Sequence, residues 1–250
     1  PNTSSAASDV YKRQIYISLF LVFIFCAQNE VVEETINPES TIIEPKATNE
    51  ESSTTSTTLE IVQLESFENV EFIVLKEKSV VGYLAPKQFL NSGLDIVEGT
   101  TREIIGRFTL TLSECDQADS CLYVKDLQIK ADISTLKSNN IIRDQAINNQ
   151  WLQSTLFPEA VFTIDELVLP NKDFDSKVED TIVGKLTIRE IELDTPFSIS
   201  AYLDGNQIFI SGITEIDTTW FGFDAPTKFN AWEVLNPIGI KVELVAKRNN

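Results

Sequence analysis

The segment Phe108-Thr109-Leu110-Thr111-Leu112 decides the fold class, because apolar and hydroxyl side chains alternate strictly along it. Successive side chains of a β-strand point to opposite faces of the sheet. A helix would instead need apolar residues three or four positions apart. Residues 108–112 therefore predict a β-strand with one buried face.

The same alternation recurs over most of residues 61–250. Segments with this pattern are 70–74, 127–133, 197–201 and 238–244, and further strands fit at 160–169, 181–189 and 207–216. Asp204-Gly205 is a typical turn between two of them. These segments predict an all-β domain of about eight antiparallel strands, which can close into a barrel without exposed edges. A two-sheet sandwich is the competing architecture, and periodicity does not separate the two.

One segment breaks the alternation. Within about 141–154, the apolar residues Ile142, Ala146, Trp151 and Leu152 lie near one face at helical spacing. We predict one amphipathic helix across the mouth or the side of the barrel. Trp151 either packs this helix onto the barrel or forms part of a lid over a cavity.

Composition narrows the possible functions. The net charge is −18, which argues against nucleic acid and anionic membrane surfaces as partners. The sequence has no His, which excludes imidazole bases, Ser-His and Cys-His nucleophiles and His-ligated metals. Acidic pairs such as Asp165-Glu166 and Glu179-Asp180 lack a loop with convergent ligands, so we interpret them as solvated surface. We predict no catalytic residue, no metal site and no cofactor; an enzyme that uses carboxylates or Tyr is the least favoured class.

The first 60 residues divide into three segments. Residues 1–14 resemble a translated sequencing adaptor, so we expect a scar that is foreign to the protein. Residues 15–27 predict a signal peptide, because their apolar run falls short of the about 20 residues that span a bilayer. Residues 28–60 are acidic and rich in Ser and Thr, which predicts a disordered tether. We expect an extracytoplasmic protein, in the periplasm or at the cell surface.

The three Cys divide into a pair and a single residue. Cys115 and Cys121 flank a polar stretch between two strands, and in an oxidising compartment they would form a disulfide at the base of a hairpin loop. In a reducing compartment they would be free thiols. Cys26 stands between an apolar run and an acidic segment, like the lipidated Cys of a bacterial lipoprotein. In a simply cleaved signal peptide or an uncleaved anchor, Cys26 would be incidental.

Four motifs, in the same order, resemble the YceI-like family. They are Arg143-Asp144 followed by Phe157-Pro158 and Phe162; Gly184-Lys185-Leu186-Thr187-Ile188-Arg189 followed by Pro196-Phe197; Thr218-Thr219-Trp220-Phe221-Gly222-Phe223; and Ile240-Lys241-Val242-Glu243-Leu244. The resemblance covers roughly residues 61–248, with Trp220 in place of the family's Asp. It implies an eight-stranded lipocalin-like barrel that binds a polyisoprenoid, an isoprenoid quinone or another long amphiphile, and it implies no catalytic residues.

The apolar faces of the predicted strands and helix supply candidates for the ligand lining. They are Phe72, Phe108, Leu110, Leu127, Ile129, Trp151, Phe162, Phe197, Ile199, Ile210 and Val242. For each of them the competing interpretation is ordinary core packing, and a one-residue slip would turn the wrong face inward. The favoured function is an extracytoplasmic carrier of an isoprenoid-type lipid, and the alternative is a non-catalytic interaction module with a solidly packed barrel. The sequence does not indicate the oligomeric state.

Overall fold

A computed structural model describes residues 68–90, 92–116, 118–170, 177–228 and 230–249. The predicted scar, signal peptide and tether lie outside the described residues, and so does Cys26. The described residues form twelve β-strands, three short 3-10 turns, and one helix α1 (Ile141–Ala146) that continues into a π-helical turn, Ile147–Trp151.

The strands follow the alternating segments of the sequence. They are β1 Val70–Val74, β2 Val80–Phe89, β3 Ser92–Thr101, β4 Ile104–Cys115, β5 Ala118–Asp132, β6 Glu159–Pro170, β7 Val178–Ile188, β8 Ile191–Asp204, β9 Gln207–Ile216, β10 Thr227–Lys228, β11 Trp232–Val234 and β12 Ile238–Arg248. The turn predicted at Asp204-Gly205 joins β8 to β9, and Gly205 has a φ of 58°, which glycine adopts without strain.

Eight of these strands close a barrel. The order is β1, β4, β5, β6, β7, β8, β9 and β12, and β12 pairs back onto β1. All of these pairings are antiparallel. The structure therefore confirms the all-β, eight-stranded antiparallel barrel with one short helix and excludes the sandwich.

The two ends of the barrel are built differently. At one end lie the β4–β5 turn, the β8–β9 turn and the start of β1, and we call it the disulfide end because Cys115 and Cys121 are bonded there. Their Cα atoms are 5.8 Å apart, within the usual range for a disulfide, so the predicted pairing is confirmed. The opposite end, where β9 stops at Ile216 and β12 begins at Ile238, is called the mouth.

At the mouth, β2 and β3 run past the end of the barrel. β2 pairs with β12 only as far as Leu84, opposite Gly239, and its outer residues pair with β3 and β11. On the other side of β3, the described residues contribute a single bridge, between Thr100 and Lys137. The barrel wall is therefore splayed where β2 and β3 leave it.

Most of the apolar interior forms one packed cluster, made by the inner faces of the barrel strands. Phe72 and Phe108 are almost fully buried and stack with ring centroids 5.5 Å apart. Burial of one such side chain contributes about 1.5–3 kcal/mol. A second, smaller cluster at the mouth contains Leu186, Ile188, Ile216 and Phe221.

Phe162 connects the two clusters. It packs against both of them, and its ring lies edge-on to Phe197 with centroids 4.9 Å apart. A Cβ placed on Gly184 would come within 2.3 Å of the Phe162 ring. The glycine that begins the Gly-Lys-Leu-Thr-Ile-Arg motif thus leaves the space that Phe162 fills.

Candidate functional site

The mouth holds a cavity of about 440 Å³ between the splayed strands and the helix. Most of its lining is aliphatic or aromatic and comes from β2, β3, the helical segment, β11 and the mouth ends of β7, β9 and β12. The apolar lining residues are Val81, Ala85, Val97, Leu136, Ile142, Ala146, Ile147, Trp151, Leu152, Ile188, Ile216, Phe223, Pro226, Trp232, Val234, Ile238 and Ile240. Such a surface favours the binding of an apolar chain.

The helical segment 141–151 forms one wall of this cavity. Its start is capped by Asn140, whose side-chain oxygen accepts the backbone N–H of Arg143 at 3.0 Å. The Asp144 carboxylate accepts the backbone N–H of Ser138, with both oxygens 3.1 Å from the nitrogen. These two contacts hold the connection that leads into α1.

The far end of the wall is held by Arg189. Its guanidinium donates to the Gln153 side chain at 3.1 Å and to the Gly222 carbonyl at 3.2 Å. It also lies 5.7 Å and 5.8 Å from the ring centroids of Phe157 and Phe223. Arg189, the last residue of the second family motif, therefore joins the end of the helical segment to the loop after β9.

The structure separates the predicted ligand-lining residues into two groups. Trp151 lines the mouth cavity. The other ten belong to the packed cluster or pack directly against it, and they do not line this cavity: Phe72, Phe108, Leu110, Leu127, Ile129, Phe162, Phe197, Ile199, Ile210 and Val242. All ten thus lie on the side of their strands that packs into the barrel interior. Contact with a ligand stays a prediction for each of the eleven.

The sequence interpretation missed the strands that build the mouth. Tyr83 and Lys87 on β2, Lys228 on β10 and Trp232 on β11 all line the cavity. β10 and β11 have two and three residues, too few to show a periodicity. Trp232, as a large aromatic residue outside every predicted strand, was the one available signal.

The polar lining residues are few, and their charged members are all cations. Lys87, Arg143 and Lys228 line the cavity, together with Tyr83, Asn140 and Thr218. The Lys87 ammonium lies 4.1 Å from the centroid of Trp232, and burial followed by the nearby Arg143 guanidinium lowers its pKa, against the opposing effect of Asp95. Burial has the opposite effect on the Tyr83 hydroxyl, whose pKa it raises.

The described residues offer little for metal binding. They contain no group of three or more Cys, Asp or Glu side chains arranged to hold a metal ion. In the described part of the chain, no helix is long and apolar enough to cross a membrane.

The sequence matches the family model of the YceI-like domain over residues 73–246, from β1 to the end of β12. The chain belongs to the YceI-like family. The predicted resemblance is thereby confirmed, and the match covers both the YceI-like barrel and its mouth. A comparison with curated proteins finds no match.

Several solved structures resemble this YceI-like barrel. BcnA from Burkholderia cenocepacia has 17% sequence identity and a TM-score of 0.49, over 70% of this chain and 99% of BcnA. A polyisoprenoid binding domain from Saccharophagus degradans has 7% identity and a TM-score of 0.49, over 73% of this chain and 100% of that domain. The YCEI protein of Campylobacter jejuni has 14% identity and a TM-score of 0.37, over 57% of this chain and 81% of the other.

Proposed function

We propose that this YceI-like protein is a non-catalytic carrier that holds an isoprenoid-type lipid by its apolar chain in the mouth cavity. The observation that supports this most directly is an apolar cavity of about 440 Å³ walled by a helical segment that is held at both ends. Its volume lies in the range of about 300–1,000 Å³ in which proteins bind small ligands.

The energetics favour a hydrocarbon chain as the ligand. Each CH₂ group that leaves water for an apolar site contributes about 0.8 kcal/mol. The branched side chains of Val97, Ile147 and Ile188 present methyl groups to the cavity, and Trp151 adds a flat aromatic surface. A chain with regularly spaced methyl branches offers matching contacts.

A chain longer than the cavity has two ways to continue. It either leaves through the splayed wall or enters the packed cluster beside Phe162, which packs against both clusters. The second path would bring Phe197 and other predicted lining residues into contact with the ligand. Phe162 is therefore expected to set the longest chain that the mouth holds.

The proposed location is extracytoplasmic. The Cys115–Cys121 disulfide supports it, because such bonds persist in oxidising compartments. Cleavage after the apolar run and a lipid anchor on Cys26 remain part of this proposal. The isoprenoid class is extended to this chain from the Saccharophagus degradans domain, which is described as polyisoprenoid binding.

Native mass spectrometry of the full chain, purified after expression in a bacterial periplasm, tests the proposal. We expect a bound mass that organic extraction identifies as a prenyl lipid. The variant A146W fills the cavity from the helix and should lose this mass. Its matched control is Q145W, which adds the same side chain at the exposed neighbouring position and should keep it.

Two results would contradict the carrier proposal. One is a protein that contains no bound lipid as purified and does not bind added farnesol. This result would indicate an interaction module with a packed barrel. The other is equal lipid retention by A146W and Q145W, which would place the lipid outside the mouth cavity.

A further inference from the structure

The sign of the charges at the mouth is opposite to that of the chain as a whole. The protein carries a net charge of −18, yet the charged residues that line the cavity are Lys87, Arg143 and Lys228, with no Asp or Glu among the lining residues. A wholly neutral lipid would form no ion pair with any of these three cations.

The three cations at the mouth lack the carboxylate partner that most other lysines of the described residues have. Among the described residues, the ion pairs within 4.0 Å use Lys76, Lys125, Lys130, Lys177, Lys185 and Lys241. None of the three cations at the mouth takes part in one. Their positive charge is thus not cancelled by a contacting carboxylate in the described part of the chain.

The three side chains are grouped on one side of the cavity. Lys87 lies over the ring of Trp232, and Lys228 stands directly opposite Trp232 in the β10–β11 pair. The Arg143 guanidinium is near enough to lower the pKa of Lys87. The Trp232 ring with Lys87 over it and Lys228 on the next strand forms, together with Arg143, a positively charged rim at one side of the cavity.

Nearby acids only partly offset this charge. Asp144 is held by the backbone N–H and the hydroxyl of Ser138, on the connection before α1. Asp95 stands opposite Lys87 in the β2–β3 pair, and its attraction is outweighed, because the pKa of Lys87 is lowered and not raised. Burial is the larger cause of that lowering and the Arg143 guanidinium is the second, so an anion placed here would meet two cations.

Arg143 lines the cavity and keeps donor capacity. Its Nε donates to the Ser138 hydroxyl at 2.9 Å, and one terminal nitrogen donates to the Asn139 side chain. The other terminal nitrogen, Nη1, donates to no acceptor in the described residues, and guanidinium groups bind phosphate and carboxylate oxygens well.

We propose that the ligand is an amphiphile with an anionic head, a phosphate or a carboxylate, held by Lys87, Arg143 and Lys228 while its chain fills the cavity. This inference rests on the proposed function, since the cavity must first accept the chain. It adds a selectivity for the head that the apolar lining does not provide. An anion beside Lys87 also supplies the ion pair that this ammonium group lacks among the described residues.

The test compares three ligands with the same farnesyl-type chain and different heads: farnesol, farnesoic acid and farnesyl phosphate. Binding to the full chain is measured by quenching of tryptophan fluorescence below the micellar concentrations, with inorganic phosphate as a head-only probe. We expect the two anions to bind about ten- to a hundredfold more tightly than the alcohol, the range for hydrogen bonds to charged groups. Phosphate alone should bind far more weakly than farnesyl phosphate.

Charge variants assign the effect to the rim. K87Q, R143Q and K228Q should each reduce affinity for farnesyl phosphate more than affinity for farnesol, and K87R should retain the affinity for farnesyl phosphate. The control K125Q removes a lysine that is paired with Glu166 on the barrel wall and should change neither affinity. In NMR spectra of isotope-labelled lysine side chains, farnesyl phosphate should raise the pKa of Lys87, and farnesol should not.

The outcomes separate the two proposals. Equal affinity for the three ligands overturns the anionic head and leaves the lipid carrier in place. Loss of farnesol binding in the charge variants to the same degree as farnesyl phosphate binding also overturns it. If none of the three ligands binds, the proposed function fails and this inference fails with it. Phosphate that binds as tightly as farnesyl phosphate would indicate an anion site unrelated to a lipid.

Discussion

The disulfide end and the mouth of this barrel are made from the same alternating strands, yet one is solid and the other encloses space. Towards the disulfide end, inward side chains pack against one another, as Phe72 stacks on Phe108 of the neighbouring strand β4. At the mouth, β2 and β3 leave the wall, and inward residues such as Ile188 and Ile216 face a cavity. An alternating strand thus supplies an apolar face, and the course of its neighbours decides whether that face packs against protein or remains open to a ligand.

A matched pair of substitutions tests this comparison with the largest expected effect. Ile208 is 8% exposed in the packed cluster, whereas Ile147 lines the cavity. We expect I208A to lower the free energy of unfolding by about 2–5 kcal/mol, because it leaves a void in a packed region. I147A should lower the free energy of unfolding by less than about 1 kcal/mol, because the Ile147 side chain already borders open space.

Urea denaturation measures both unfolding free energies, and farnesol titration measures binding. I147A should weaken farnesol binding more than I208A does in the folded protein. Equal destabilisation by the two variants would contradict the contrast between the packed region and the cavity.

The disulfide gives a smaller effect that is confined to the opposite end. We expect C115A/C121A to lower the free energy of unfolding by about 2 kcal/mol, as chain entropy predicts for so short a loop. Affinity for farnesol should not change, since the bond lies at the end remote from the mouth. Addition of a reductant to the unaltered protein is the matching control, and weaker farnesol binding by the variant would mean that the two ends are coupled.

A substitution of Phe162 gives a smaller expected change in stability than loss of the disulfide, and it tests the boundary because Phe162 packs against the clusters of both regions. F162L keeps an apolar side chain and should cost roughly 1 kcal/mol of stability. It removes the ring that connects the mouth cluster to the packed cluster, so we expect the preferred chain to lengthen. A series of prenyl alcohols of increasing length measures the preference; an unchanged optimum would show that longer chains leave through the splayed wall.

Much of the barrel could be predicted from local pattern alone. Strict alternation at 108–112 places Phe108 and Leu110 in the buried cluster, and β8 and β9 meet at the expected turn. Cys115 and Cys121 lie close together because β4 and β5 are joined by a short turn. These features depend on residues near one another in sequence, which is why the sequence indicates them.

The cavity depends on pairings between residues far apart in sequence. Its splayed wall follows from the end of the β2–β12 pairing at Leu84 and Gly239, and from the contact of β11 with Lys87 and Phe89. No local pattern specifies where such a ladder stops. Helical spacing is a local signal and indicates the segment that carries Trp151, whereas Lys87 and Lys228 become neighbours only through their contacts with Trp232.

The central claim is that a lipid occupies the mouth and not the packed region. Photocrosslinking of the full chain with a farnesyl analogue that carries a diazirine on its chain, followed by peptide mapping, tests this most directly. The account predicts that the label falls on the cavity walls, at 142–152 and 226–240, and that A146W abolishes it while Q145W does not. Labelling centred on Phe72, Phe108 or Leu110, or unchanged labelling of A146W, would contradict it.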